Sequence, residues 1–161
     1  MIRPANSHDL PAIIRLINHY IAHSNVVYEE QAWDAHKAQT WLDARQSEGF
    51  PVLVYEADGV VLGYGSYGTF RARMGYRFTV EHSVYADPEH KGKGIGKALL
   101  EALIAQARAD GLHCMVGAVD ASNAGSVAFH EKHGFTQVGT FRQAGRKHGV
   151  WLDVCFVQLM L

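Results

Sequence analysis

Between residues 76 and 109 the chain changes character twice. Residues 76–86 form a β-branched and aromatic run of the kind that suits a pleated sheet, whereas residues 98–109 are rich in alanine and leucine. They are joined by His90-Lys91-Gly92-Lys93-Gly94-Ile95-Gly96-Lys97, with glycine at three alternate positions. A strand, a glycine-rich turn and a helix in direct succession leave few architectures open. Glycine adopts positive φ and lets the backbone come close to a ligand. The helix that follows points its unpaired first-turn N–H groups into the same concavity. Lys91, Lys93 and Lys97 add positive charge there, so the natural guest of this turn is a pyrophosphate.

The rest of the pattern places the turn mid-chain in an α/β fold. Residues 1–3 read as a short strand. Leu10, Ile13, Ile14, Ile17 and Ile21 recur at helical spacing and predict a helix over 9–23. A looser pattern with Ala38, Trp41, Leu42 and Arg45 predicts a second helix over 34–48, stopped at Gly49. Strands follow over 51–56 and 60–67, joined at Asp58-Gly59, and another runs over 77–86. Beyond the glycine turn come a helix to about 110, a strand over 113–119 and a short helix over 123–133. The last two strands span 135–141 and 150–159, and residues 71–75 and 142–149 read as basic loops. With no repeat or linker, residues 1–161 form one α/β domain around a mixed sheet.

Composition narrows the function. A net charge of −1 gives no global basic field, so neither nucleic acid nor an anionic membrane is an expected partner. No apolar run is long enough to span a bilayer, and the start has no signal-peptide pattern, which points to the cytoplasm. Cys114 and Cys155 stand apart in apolar runs and read as buried, reduced thiols. No metal is expected. His19 and His23 share a helix face but lack a third ligand, and His130-Glu131-Lys132-His133 has the wrong spacing for the zinc protease motif.

Two common phosphate-binding motifs fail on spacing. Gly96-Lys97 is followed by Ala98, so the hydroxyl that a Walker loop offers to magnesium is missing. A dinucleotide fingerprint would need glycine where Lys97 stands, and would belong to the first βαβ unit. Lys91-Gly92-Lys93-Gly94-Ile95-Gly96 instead resembles the acetyl-coenzyme A motif Gln/Arg-x-x-Gly-x-Gly/Ala of the GNAT family of N-acetyltransferases, with lysine at the first position. The stretch from Asn123 to Phe135 is similar to that family's next segment. Residues 49–54, 76–85 and 144–154 resemble, more narrowly, the phosphinothricin and methionine sulfone acetyltransferases, so the similarity covers nearly the whole chain.

The resemblance implies a mostly antiparallel mixed sheet of about seven strands flanked by four helices, splayed between the fourth and fifth strands. It also implies acetyl-CoA as co-substrate, held by Lys91 to Lys97, by Asn123, and by backbone near Val84, Tyr85 or Ala86. Acetyl transfer needs a neutral amine, yet a typical α-amino group has a pKa near ~8 and is mostly ammonium at pH 7. Glu81, flanked by Val80 and Val84 in a strand beside the turn, is the candidate base, and burial should raise its pKa. A carboxylate held by structural hydrogen bonds is the competing account. His130 occupies the place where many members carry a tyrosine that protonates the departing thiolate, and the phosphinothricin-type enzymes also carry histidine there.

For the acceptor, Arg71, Arg73 and Arg77 cluster before the Glu81 strand, and Arg142, Arg146, Lys147 and His148 crowd the last loop. Guanidinium groups suit anionic or tetrahedral tails better than polyamines. The resemblance places substrate contacts at Arg71, Gly75, Tyr76 and Arg77, with Tyr28 and Phe70 as aromatic walls, and implies a homodimer. The favoured expectation is N-acetylation of small amino acids such as methionine sulfone, methionine sulfoximine or phosphinothricin. A protein N-terminal acetyltransferase, a non-catalytic acetyl-CoA sensor and a Rossmann-like nucleotide-binding protein are the alternatives.

Overall fold

The apolar stripe of the first helix packs on one face of a sheet and that of the third helix on the other, and two strands between them part. The structure, a computed structural model, describes residues 1–161. In chain order the elements are β1 Ile2–Pro4, α1 Leu10–His23, α2 Ala35–Ser47, β2 Val52–Ala57, β3 Val60–Thr69, β4 Thr79–Ala86, α3 Ile95–Ala109, β5 Cys114–Asp120, α4 Ala124–Lys132, β6 Thr136–Lys147 and β7 Val150–Met160. The seven strands form one sheet in the order β1-β2-β3-β4-β5-β7-β6. Every neighbouring pair is antiparallel except β4 and β5. No helix is long and apolar enough to cross a membrane.

Strand alternation sends Tyr64 and Tyr85 to the face covered by α1 and α2, where they join Leu10, Ile13, Leu16, Ile17 and Leu42. Tyr67 and Val80 point the other way, into a second core with Leu100 and Leu103 of α3 and Met115 of β5. The start of α3 lies against Gly63 of β3. A side chain there would stand 2.8 Å from Ile95 Cγ2 and 2.9 Å from the Tyr85 carbonyl oxygen. Gly63→Val is therefore expected to cost about 2 kcal/mol through overpacking, on the order of 5 °C in Tm by thermal melting.

The parallel pair is short. β4 and β5 are in register only at Thr79↔Cys114, Val80↔Met115 and Glu81↔Val116, after which they diverge. The Asp87 N–H bonds the Leu62 carbonyl on the β3 side. By alternation, the N–H groups of Val84 and Ala86 face the gap. On β5 the Ala121 N–H bonds Asp153 on β7, so the N–H groups of Ala118 and Asp120 face the gap from the opposite bank.

One expected loop is a strand. Residues 142–147 continue β6, which turns at His148-Gly149 directly into β7. The register shifts between Phe141 and Gly145, and Gln143 sits at φ 51° with its N–H bonded to Asp153 Oδ1 at 2.7 Å. A bulge explains the difference. This hairpin projects with both faces largely exposed, so residues 142–147 are mostly polar and carry no strand alternation.

Candidate active site

A cleft of about 440 Å³ opens where β4 and β5 part. Its walls are β4 from His82 to Ala86, β5 from Gly117 to Asp120, the first turn of α4, and Lys91 and Gly96 of the glycine turn. That turn is built for close approach: Gly92 and Gly94 sit at φ 82° and 79°, with nothing near where a side chain would project. Gly94 caps α3 without any side-chain bond, so the N–H groups of Ile95, Gly96 and Lys97 have no carbonyl of their own helix. Across the mouth, Asn123 Oδ1 caps α4 by accepting from Ser126 N at 3.0 Å. Two helix N-termini thus address one cleft.

The expected residues distribute unevenly around it. Val84, Tyr85, Ala86, Lys91, Gly96, Asn123 and His130 line the cleft. Ile95 is buried in the core and offers only its backbone, and Lys97 is exposed beside Glu101 at 3.9 Å. Glu81 stands just outside the cleft lining, at the last position of β4 paired with β5 and on the α1–α2 face, whereas His130 approaches from the α4 side. The two candidates flank the gap from opposite faces of the sheet. Burial raises the Glu81 pKa above the ordinary carboxylate value, and Arg45 pulls weakly the other way. The Arg45 guanidinium packs directly over Gly68, the β3 residue in register with Glu81.

His130 is 7% exposed, and its Nδ1 lies 2.7 Å from the Ser126 carbonyl oxygen. A carbonyl only accepts, so Nδ1 carries the hydrogen and Nε2 is left as a lone pair. Burial also lowers the His130 pKa, so at neutral pH the ring is uncharged and acts as an acceptor at Nε2. Tyr20, unmarked in the sequence except as a neighbour of the α1 stripe, donates from its hydroxyl to the Ala86 carbonyl at 2.6 Å and closes the α1 end of the cleft. Sequence reasoning also missed His82, Gly117 and Asp120 in the lining.

The arginine loop lies elsewhere. Arg71, Gly75, Tyr76 and Arg77 are exposed between β3 and β4, and none of them lines the cleft of this chain. Arg71 stacks on Phe70 and Arg77 on Phe78, while Phe70 and Tyr76 meet edge to face. The expected cation cluster of residues 142–148 does not form as a loop. Arg146 stacks on Trp151, and Lys147 is only 2% exposed, its Nζ donating to the carbonyls of Ser24 at 2.6 Å and Val27 at 2.9 Å. Lys147 is a buried anchor for the chain that follows α1. Tyr28 packs on Gly145 and donates to the Asp153 carbonyl at 3.1 Å. No group of three histidine, cysteine, aspartate or glutamate side chains gathers at metal-binding spacing.

A short parallel pair that splays beside a glycine turn matches known proteins. The model of the acetyltransferase (GNAT) family matches residues 14–135, most of the chain. The chain belongs to this family. It is 46% identical over 161 residues to an L-methionine sulfoximine/L-methionine sulfone acetyltransferase of Pseudomonas paraeruginosa, covering 99% of this chain and 94% of that one. The crystal structure of a ribosomal-protein-alanine N-acetyltransferase from Brucella melitensis superposes with a TM-score of 0.99 at 41% identity, over 100% of this chain and 99% of that one. A phosphinothricin acetyltransferase from Sinorhizobium meliloti, solved in complex with acetyl-CoA, gives 0.95 at 34% identity, over 100% and 88%.

Gly68 governs which charge faces Glu81, the candidate base. A side chain at 68 would evict the Arg45 guanidinium, the flexible end of a long side chain. Gly68→Ala is expected to remove the one charge that lowers the Glu81 pKa. The acid limb of the kcat/KM profile should then move to higher pH, read by initial rates across a pH series.

Proposed function

We propose that the protein transfers the acetyl group of acetyl-CoA directly to the α-amino group of a small amino acid with a sulfone, sulfoximine or phosphinate tail. The observation that carries the substrate class is the 46% identity, along nearly the whole chain, to a methionine sulfoximine/sulfone acetyltransferase. The fit of acetyl-CoA rests on the chain's own features: an open concavity at Gly92 and Gly94, free first-turn amides at α3, and unpaired strand N–H groups along the gap. The first-turn amides with Lys91 would hold the diphosphate, and Gly92 and Lys93 shape the approach. Val84 and Ala86 N–H groups would donate to amide and thioester oxygens, and the Asn123 amide would meet the arm. When bound, the co-substrate supplies an activated acyl carbon.

Protein side chains do the proton work. Glu81, on the α1–α2 side, removes a proton from the incoming ammonium, and its raised pKa brings it closer to that of the amine. As the C–S bond breaks, the second proton of the attacking nitrogen passes to the departing thiolate, near which His130 Nε2, on the α4 side, accepts a hydrogen bond. Arg71, Gly75, Tyr76 and Arg77 would contact the acceptor once a second copy of the chain adds to the site. A homodimer is supported by exposed apolar side chains on the two faces of the β6–β7 hairpin, Val138, Phe141, Val150 and Trp151. A cytoplasmic location accords with the two free, buried cysteines.

The likeness to the ribosomal-protein-alanine enzyme favours a second reading, acetylation of a protein N-terminus. A thiol-release assay with acetyl-CoA separates them. Turnover with methionine sulfone or phosphinothricin, and none with alanine-starting peptides, supports the first reading. Peptide-only turnover replaces it with the second, and acetyl-CoA binding without turnover overturns both.

A further inference from the structure

His82 is as deeply buried as His130 and has no assigned task. It is 7% exposed, and neither ring nitrogen has a hydrogen-bond partner within the protein. Burial pushes its pKa down to about 3, with neighbouring His130 adding to the effect, so the ring is neutral throughout the physiological range. A buried, unpaired imidazole carries a desolvation penalty that a hydrogen-bonding partner such as an ordered water relieves.

Its surroundings are specific. The rings of His82 and His130 lie 5.1 Å apart, centroid to centroid, with Phe135 packed against both. Their Nε2 atoms converge on Gly117: the place where a side chain at 117 would begin is 3.0 Å from His82 Nε2 and 3.4 Å from His130 Nε2. Only glycine leaves that space to the two imidazoles. His82, Gly117 and His130 all line the cleft, at the point where β4 and β5 have just separated.

We propose that His82 and His130 together seat one water molecule beside Gly117, and that His82 is thereby a positioning residue for the acetyl transfer. The donor and acceptor pattern is complementary. His130 Nε2 is a lone pair, fixed by the Ser126 bond at Nδ1, so the water donates one hydrogen to it. His82, as the Nε2–H tautomer, gives its only N–H to the water oxygen. The second hydrogen of the water is left to point into the cleft, a donor aimed from the α4 side at the negative charge that develops on the departing sulfur. The role at the sulfur rests on the acetyltransferase reading above, whereas the water seat itself does not.

The test uses His82→Phe, His82→Gln and Gly117→Ala. In the free protein, nitrogen-15 NMR of the imidazoles at pH 7 should show His130 Nε2 hydrogen-bonded, shifting on His82→Phe and returning toward wild type with His82→Gln, whose carboxamide can hold the same water. In steady-state assays His82→Phe should lower kcat about tenfold or more with the KM for acetyl-CoA within about twofold, and His82→Gln should recover at least about half of that rate. Gly117→Ala, which fills the seat while keeping both histidines, should reproduce the loss of kcat. An unmoved His130 signal in a folded His82→Phe protein overturns the seat. A moved signal with kcat unchanged overturns the positioning role. Wild-type protein that transfers acetyl to no amine defeats the acetyltransferase reading, while the NMR arm still decides the seat.

Discussion

Replacing Glu81 by glutamine is expected to lower kcat at pH 7 by about a hundredfold or more, the span typical of a lost general base, with acetyl-CoA affinity unchanged. The size follows from the proton inventory. At pH 7 the acceptor is mostly ammonium, and a carboxamide in place of the carboxylate could accept a hydrogen bond from it but could not take its proton. The retained affinity follows from topology, because Glu81 is on the α1–α2 face and the glycine turn is at the far mouth of the cleft. The pH profile carries a second signature. With burial raising the Glu81 pKa, activity is present above that raised value and falls as pH drops through it. Wild-type kcat/KM should have an acid limb above the usual carboxylate range, and the variant should lose that limb.

The same substitution should raise the melting temperature. A carboxyl whose folded pKa exceeds its unfolded one binds more protons in the native state, so stability declines as pH rises between the two values. Above the raised pKa that penalty is fully present, and glutamine removes it. An enzyme that becomes slower and more heat-resistant together is the mark of a group held in place for chemistry. If Glu81→Gln melts earlier and keeps its rate, the carboxylate is structural.

One half of this site is legible in the sequence, and the other is hidden for physical reasons. The glycine turn is readable because its function resides in the backbone, and glycine adopts the positive φ at 92 and 94 without strain. Glu81 stands out as a charge inside an apolar strand, and Asn123 as a helix cap. His82 carries no such contrast, because a lone histidine in a strand becomes significant only when the chain brings Gly117 and His130 to it from β5 and α4. Arg45 belongs to a weakly patterned helix, and its relation to Glu81 passes through the absent side chain of Gly68. Lys147 escapes a reading from sequence because lysine in a polar stretch ordinarily means solvent. Here a bulge turns it inward, onto the carbonyls of Ser24 and Val27.

Gly96→Glu should separate binding from stability at the other end of the cleft. Position 96 is the second residue of α3, and a side chain there would meet only Phe129, at an ordinary 3.8 Å. Glutamate is a better helix former than glycine and, in the first turn, interacts favourably with the helix dipole, by about 0.3–1 kcal/mol. The fold should therefore be unharmed, with a Tm equal to wild type or higher. The same carboxylate would stand among the amides proposed to receive the diphosphate. Repulsion between charges about 4 Å apart near a protein surface is roughly 3–4 kcal/mol, so acetyl-CoA affinity by calorimetry should fall on the order of a hundredfold or more. Gly96→Gln supplies the bulk without the charge and should lose much less, and added salt should narrow the difference between the two variants. Equal, undiminished affinity in both would place the diphosphate away from α3 and remove the physical basis for reading residues 91–97 as its cradle.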